Sequence, residues 1–216
     1  MAEKGMRQSE HAYAVLKRAI LTLDLAPGEP LSDSELVERY GVGRTPLREA
    51  LQRLVAEELV VAHGRRGMVV SSFGAGDIQA LFELRVQLDG FAAGLAAQRA
   101  TEEDIARLEA ICQGREPGSD DPVLFDELLH DAIARASHNQ YLMTTLRRLY
   151  DLSVRMLNLL QFEREPLEQM HREHEAAVDA IKARDPQRAS AAARRHVMAR
   201  NWFPTLAVDE DLDVDA

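Results

Sequence analysis

Leu36-Val37-Glu38-Arg39-Tyr40-Gly41-Val42-Gly43-Arg44-Thr45-Pro46-Leu47-Arg48-Glu49-Ala50-Leu51 reads as a short helix, a glycine-bearing turn and a second helix. Pro46 is tolerated at a helix start and Thr45 before it is expected as the N-cap. Leu47, Ala50, Leu51 and Leu54 fall on one face of that second helix. Upstream, Ser32-Asp33-Ser34-Glu35 has the spacing of a capping box, with Ser32 as cap and Glu35 reaching back. An amphipathic helix carrying Ala14, Val15, Leu16, Ala19, Ile20 and Leu23 precedes it and stops before Ala26-Pro27-Gly28. Downstream, Leu59-Val60-Val61 and Met68-Val69-Val70 flank His63-Gly64-Arg65-Arg66-Gly67, the pattern of a short hairpin. The expected module is a winged helix-turn-helix over residues 1–72.

Its cations point to DNA. Arg44 and Arg48 are four apart, on one helical face, at the end of a recognition helix that enters the major groove. Arginine there can fork onto guanine O6 and N7, while Thr45, Ser34 and the first N–H groups suit phosphate. Arg65 and Arg66 at the hairpin tip would reach a phosphate or the minor groove. The plainer alternatives are a surface ion pair of Arg48 with Glu49 and a solvated arginine pair on a turn.

Charge is partitioned along the chain. The net charge is −10, yet residues 1–72 hold ten Lys/Arg and ten Asp/Glu, so the whole excess belongs to the remainder. A neutral first module joined to an acidic second one implies different partners. The 216 residues are 46% apolar and 29% charged, which excludes wholesale disorder. No uncharged run exceeds about a dozen residues, short of the roughly 20 that a membrane helix needs. Residues 1–8 carry charge without an apolar core, unlike a secretory signal, and the single Cys112 suits a reducing cytoplasm.

Residues 73–76, Phe73-Gly74-Ala75-Gly76, form the expected linker. Beyond it the patterning is helical over about 77–99, 101–113, 121–136, 139–161, 166–184 and 186–205, an all-α bundle over 77–205. The acidic stretch 206–216 is expected to be disordered. The fold class is thus mainly α, in two modules.

Within the bundle, His174 and His196 are 22 residues apart with the break Asp185-Pro186 midway. In an antiparallel helical hairpin, residues equidistant from the turn meet. Asp126 and His130 are four apart and project from one face of another helix. Three imidazoles and a carboxylate suit Zn²⁺, Ni²⁺ or Mn²⁺, and bundle interiors host such sites. A helical ion pair and hydrogen-bonded core histidines are the competing readings. Arg85 falls on the buried stripe of Ile78, Leu81, Phe82, Leu88, Ala92 and Leu95. A buried guanidinium needs a carboxylate, either Glu83 or Asp89 or that of a bound effector. Arg147, Arg155 and Asn158 on the 139–161 helix are further candidates for the same cavity.

The segments Leu25 to Leu31, Leu36 to Leu51 and Arg65 to Val70 resemble the GntR family of bacterial transcription regulators. Gly43 departs from the Ser or Thr common there. Glu83-Leu84-Arg85-Val86-Gln87-Leu88-Asp89, Asp126 to Ile133, Glu173-His174 and the later His196 resemble the FadR-type effector domain called FCD. The resemblance implies a homodimer on a palindromic operator, with Arg44, Thr45 and Arg48 as main readers. It also implies a divalent metal, zinc first, held by Asp126, His130, His174 and His196, with open positions for a small organic acid. Arg85 matches that family's effector-helix arginine. The expected protein is a cytoplasmic, effector-controlled repressor; a His/Asp metal-dependent hydrolase and a helical scaffold with structural His and Arg are the alternatives.

Overall fold

The computed structural model describes residues 2–64, 67–115, 122–159 and 167–199. Arg65, Arg66, the stretch 206–216 and the breaks at Pro117-Gly118 and Glu165-Pro166 lie outside them. The elements run α1 (Ala2–Leu21), β1 (Pro30–Leu31), α2 (Asp33–Tyr40), α3 (Arg44–Ala56), β2 (Val60–Ala62), β3 (Met68–Val70), α4 (Ala75–Arg99), α5 (Glu102–Cys112), α6 (Pro122–Ala136), α7 (Gln140–Leu159), α8 (Leu167–Lys182) and α9 (Pro186–Ala199). No helix among the described residues is long and apolar enough to cross a membrane.

Two compact units result. The first holds α1 to α3, the three strands and the part of α7 from Tyr150 onward. Its core is Ala12, Leu16, Ala19 and Ile20 of α1 against Leu36 of α2, Leu47, Ala50, Leu51 and Leu54 of α3, and Val60 and Val70. The expected stripe of α1 needs two corrections: Ala14 is exposed with Ala12 buried in its stead, and Leu23 lies past the end of the helix at φ 63°. Leu16, Leu47 and Leu54 are fully buried, so truncating any one to Ala removes about 2–5 kcal/mol of stability. The sheet is antiparallel in the order β1-β3-β2, with Val60 opposite Val70 and Pro30 opposite Val69. Strand β1 completes the expected hairpin on its other edge. Proline fits at that edge because it owes the ladder no N–H there.

Turn chemistry explains the helix-turn-helix and corrects two expected caps. Gly41 ends α2 in the left-handed conformation, φ 64°, and its N–H closes on Val37 O. Ser32 has the extended backbone of an N-cap, but its hydroxyl meets Ser34 Oγ at 3.0 Å and makes no cap bond. Helix α3 begins at Arg44 with Gly43 as N-cap, not Thr45. Its first bond is Leu47 N–H to Gly43 O, 2.9 Å. Pro46 therefore lies inside the first turn, where an N–H has no helical acceptor to lose.

The second unit holds α4 from Gly76, α5, α6, α7 through Leu149, α8 and α9. Ala92, Ala93, Ala96 and Ala97 of α4 pack with Leu108 and Ile111 of α5, Phe125 and Leu129 of α6, Leu142 and Leu146 of α7, Val178 and Ile181 of α8, and Ala189 and Ala193 of α9. Alanine on both sides lets these helices approach closely. A Cβ on Gly90 would lie 2.6 Å from the Arg194 side chain, so α9 crosses α4 where α4 has no side chain. Helix α5 is opened by a capping box in which Thr101 accepts from Asp104 N–H and Asp104 reaches back. Helix α7, expected wholly within the bundle, is divided between the two cores.

Candidate metal centre and nucleic-acid interface

Helices α8 and α9 are joined by a tight reversal. Arg184 adopts φ 57°, the left-handed region, and the N–H groups of Arg184 and Asp185 return to Ile181 O and Ala180 O. Asp185 Oδ1 then accepts from Arg188 N–H at 2.9 Å and starts α9, with Pro186 as its first residue. The reversal brings two positions equidistant from it face to face, and the His174 and His196 rings meet with centroids 3.9 Å apart.

Helix α6 closes the cluster. Asp126 and His130 lie one turn apart on it, and Asp126 Oδ1 is 3.3 Å from His174 Nε2, 3.7 Å from His130 Nε2 and 3.7 Å from His196 Nε2. One ligand atom from each of Asp126, His130, His174 and His196 lies within 4.8 Å of the others. That is the size of a shell around one cation bound at roughly 2.0–2.2 Å per N or O donor. Asp126, His174 and His196 are buried, and Phe125 sets its ring edge-on against His174 at 5.5 Å.

The outward nitrogens of two rings are already engaged. His130 Nδ1 donates to Asp89 Oδ1 at 2.9 Å, and His196 Nδ1 donates to Glu173 Oε2 at 3.0 Å. A neutral imidazole with its proton at Nδ1 presents a lone pair at Nε2. Buried His196 Nε2 makes no hydrogen bond among the described residues, the state of a donor atom that a cation would satisfy. Burial pushes His130 below the ordinary histidine range, outweighing Asp126 and Asp89, so the neutral, ligating form is favoured. Asp89 is fully enclosed, which by itself would raise its pKa. The Arg85 guanidinium and then His130 hold it well below the usual carboxylate range. The residue set, three imidazoles and a carboxylate, fits a divalent metal of the zinc, nickel or manganese class.

Arg85 is buried, as its place on the apolar stripe required, and its Nε donates to Asp89 Oδ2 at 3.1 Å. Of the alternatives open in the sequence, Asp89 is the carboxylate it meets. Arg155 and Asn158 need a correction: both belong to the first unit. Arg155 donates to Ser71 Oγ at 2.7 Å and to Ser71 O, and stacks on Phe73 at 4.6 Å. Burial pushes it down to about 10. Asn158 Nδ2 donates to Leu21 O at 2.7 Å. Their polar groups hold α7 to the first unit. Arg147 pairs with Asp131 on α6. Two residues beside the metal cluster escaped the sequence reading. Asp89 was weighed only as a partner for Arg85, and Glu173 was quoted next to His174 without a role.

In the first unit the start of α3 is open to solvent. Arg44, Thr45 and Arg48 are exposed, and so is Ser34 in the first turn of α2. Arg48 Nε donates to Asp33 Oδ2 at 2.9 Å, in place of the Glu49 pair considered from sequence. This bond ties the first turn of α2 to the start of the second turn of α3. At 72% side-chain exposure for Arg48 it costs little to exchange for another anion. Arg39 pairs with Asp24, and Tyr40 donates to the same carboxylate, fixing the loop after α1 to the end of α2.

Residues 8–70 match the family model of bacterial regulatory proteins, gntR family, and residues 80–199 match the FCD domain. The HTH-type transcriptional repressor GlaR of Escherichia coli K12 is 33% identical over 200 residues, covering 86% of this chain and 90% of GlaR. The Glc operon transcriptional activator of the same strain is 30% identical over 210 residues, covering 84% and 83%. Among solved structures, E. coli McbR/YncC superposes with a TM-score of 0.73 over 89% of this chain and 94% of its own, at 24% identity, a likeness of fold.

Proposed function

We propose that this chain, which belongs to the gntR family of bacterial regulatory proteins and carries an FCD domain, is a repressor controlled by a small carboxylate at a divalent metal. It is a DNA-binding transcriptional regulator and not an enzyme. Regulators of this family bind DNA and usually act as dimers.

The finer reading is a homodimer on a palindromic operator, each protomer placing the start of α3 in a major groove. Arg44 and Arg48 would read base edges there, while Thr45 and Ser34 meet phosphates. Arg65 and Arg66 would reach the flanking backbone or minor groove. The single observation that carries effector control is the convergence of Asp126, His130, His174 and His196 within 4.8 Å. These four would hold the ion, zinc first. When bound, it supplies positive charge and open positions that a carboxylate oxygen can take. The three imidazoles are neutral donors and Asp126 is the one anionic ligand, so the ion keeps Lewis acidity toward an anionic oxygen at its open positions.

Similarity to a repressor supports the sign of the regulation. An effector would release the operator by favouring a state in which the two DNA modules no longer match both half-sites. The test is fluorescence anisotropy of the full chain on its own promoter DNA, zinc-loaded, with a panel of small mono-, di- and hydroxycarboxylates. Weakened operator binding by one of them, lost in His174→Ala, is the expected result. Tightened binding would make the protein an activator or co-repressed. No response to any carboxylate would remove effector control at this centre.

A further inference from the structure

Asp89 uses its two oxygens in two directions. Oδ2 accepts from Arg85 Nε at 3.1 Å, one turn back on α4, and Oδ1 accepts from His130 Nδ1 at 2.9 Å on α6. Glu173 of α8 does the same service for α9: its Oε2 accepts from His196 Nδ1 at 3.0 Å. For both rings the nitrogen left over, Nε2, is the atom 3.7 Å from Asp126 Oδ1. The charged groups of this set are Asp89, Asp126 and Glu173 against Arg85, a formal sum of −2 with neutral imidazoles. A divalent cation brings it to zero.

We propose that Asp89 and Glu173 are positioning residues that fix the tautomer and aim of His130 and His196 toward the metal, and that Arg85 acts on the centre through Asp89. This rests on the metal reading above. The arrangement follows a general rule of metal sites, in which a ligating histidine donates its other N–H to a carboxylate that sets its orientation and basicity. Here the two carboxylates are not equivalent. Asp89 is buried and shared with a guanidinium, whereas the Glu173 side chain is 24% exposed and sits next in sequence to the ligand His174. Helix α8 thus delivers one ligand and the group that aims another.

The experiment is a Zn²⁺ titration of the full chain against a competing chromophoric chelator, for wild type, Asp89→Asn, Glu173→Gln, Arg85→Gln, the double variant Arg85→Gln/Asp89→Asn, and His174→Ala. Asp89→Asn and Glu173→Gln are expected to bind zinc about 10–100-fold more weakly. Arg85→Gln should also weaken zinc, and adding it to Asp89→Asn should cost nothing further, because it works through that carboxylate. Histidine ¹⁵N shifts of the metal-free protein should show His130 protonated at Nδ1 in wild type and a tautomer mixture in Asp89→Asn, a change that mere loosening of the fold does not produce. Circular dichroism checks each variant. Should Asp89→Asn not fold, Glu173→Gln at the rim and the charge-neutral double variant carry the test. Zinc affinity within twofold of wild type in Asp89→Asn and Glu173→Gln overturns the proposal. So does an Arg85→Gln protein with normal zinc affinity. A wild type that binds no zinc, or a His174→Ala protein that binds it undiminished, instead overturns the metal reading itself.

Discussion

The polar cluster around Lys17 in the first unit and the one around Asp126 in the second are assembled by opposite rules. Around Lys17 in the first unit, a cation meets anions: its ammonium pairs with Asp151 of α7 and lies 3.5 Å from Glu57. It also donates to Tyr13 Oη, and Arg53 covers the Tyr13 ring at 3.8 Å. Around Asp126 in the second unit, like meets like. Three imidazoles surround one carboxylate, with ring centroids 3.9–5.5 Å apart, and none of the four is a lysine or arginine. The electrostatics diverge accordingly. Burial would lower the Lys17 pKa, but Asp151 overrides it and holds the ammonium well above the usual lysine range. At His130 burial wins and the neutral ring, with its one proton at Nδ1, is favoured. A cluster that completes itself holds a fold together, whereas a cluster of donors facing inward completes only when a cation enters.

That contrast can be broken most sharply at the metal ligands. A metal present at a thousandfold its dissociation constant stabilises the native state by about 4 kcal/mol. Melting of His196→Ala with and without chelator should show none of that increment, while wild type shows all of it. A chelator-sensitive melt in His196→Ala would mean that the other three groups suffice. Asp151→Asn should cost about 1–3 kcal/mol in urea unfolding, because it strips a charged partner from half-buried Lys17. Its zinc content, measured by elemental analysis, should be unchanged. Loss of zinc there would show that the two clusters are one system.

The exposed start of α3 supplies a weaker contrast. Arg44→Ala and Arg48→Ala should each weaken specific operator binding by about 1–3 kcal/mol and leave urea stability within about 0.5 kcal/mol. Equal weakening on unrelated DNA would limit both arginines to phosphate contact. The smallest effect is one of pH. The Lys17 pKa is raised on folding, so its contribution is complete below the unfolded value of about 10.4 and fades as pH rises through the folded one. Wild type should therefore lose more stability than Asp151→Asn between neutral and strongly alkaline pH. Parallel curves would deny the pair its part.

Much of this was legible before any coordinates. The helix-turn-helix announced itself because glycine at position 41 and proline at 46 leave few alternatives for the backbone. The clustering of Asp126, His130, His174 and His196 was legible because helical periodicity and a Pro-marked reversal turn sequence spacing into proximity, as for His174 and His196. Other features were not. Strand β1 is two residues long, too short for any alternation to register. The hydroxyl of Ser32 had two partners in reach, a backbone N–H of the first turn and the Ser34 hydroxyl, and it pairs with Ser34. Arg155 and Asn158 sit on a helix whose apolar stripe continues without a break from Leu142 to Met156. Periodicity states that such a stripe is covered, not by which core, and the two ends of α7 are covered by different ones.

Helix α7 has a consequence for how the protein can be taken apart. The DNA-binding unit is discontinuous along the chain: it starts, leaves at Ala75 and is finished only when Tyr150 to Leu159 return. A fragment cut after Ser72 would keep every residue of the winged helix-turn-helix yet strand Lys17 without Asp151, Leu21 O without Asn158 and Ser71 without Arg155. It should melt below the parent unit and regain stability when a peptide spanning the second half of α7 is added in trans. In this chain the reader of DNA is spliced together from two distant passages of text.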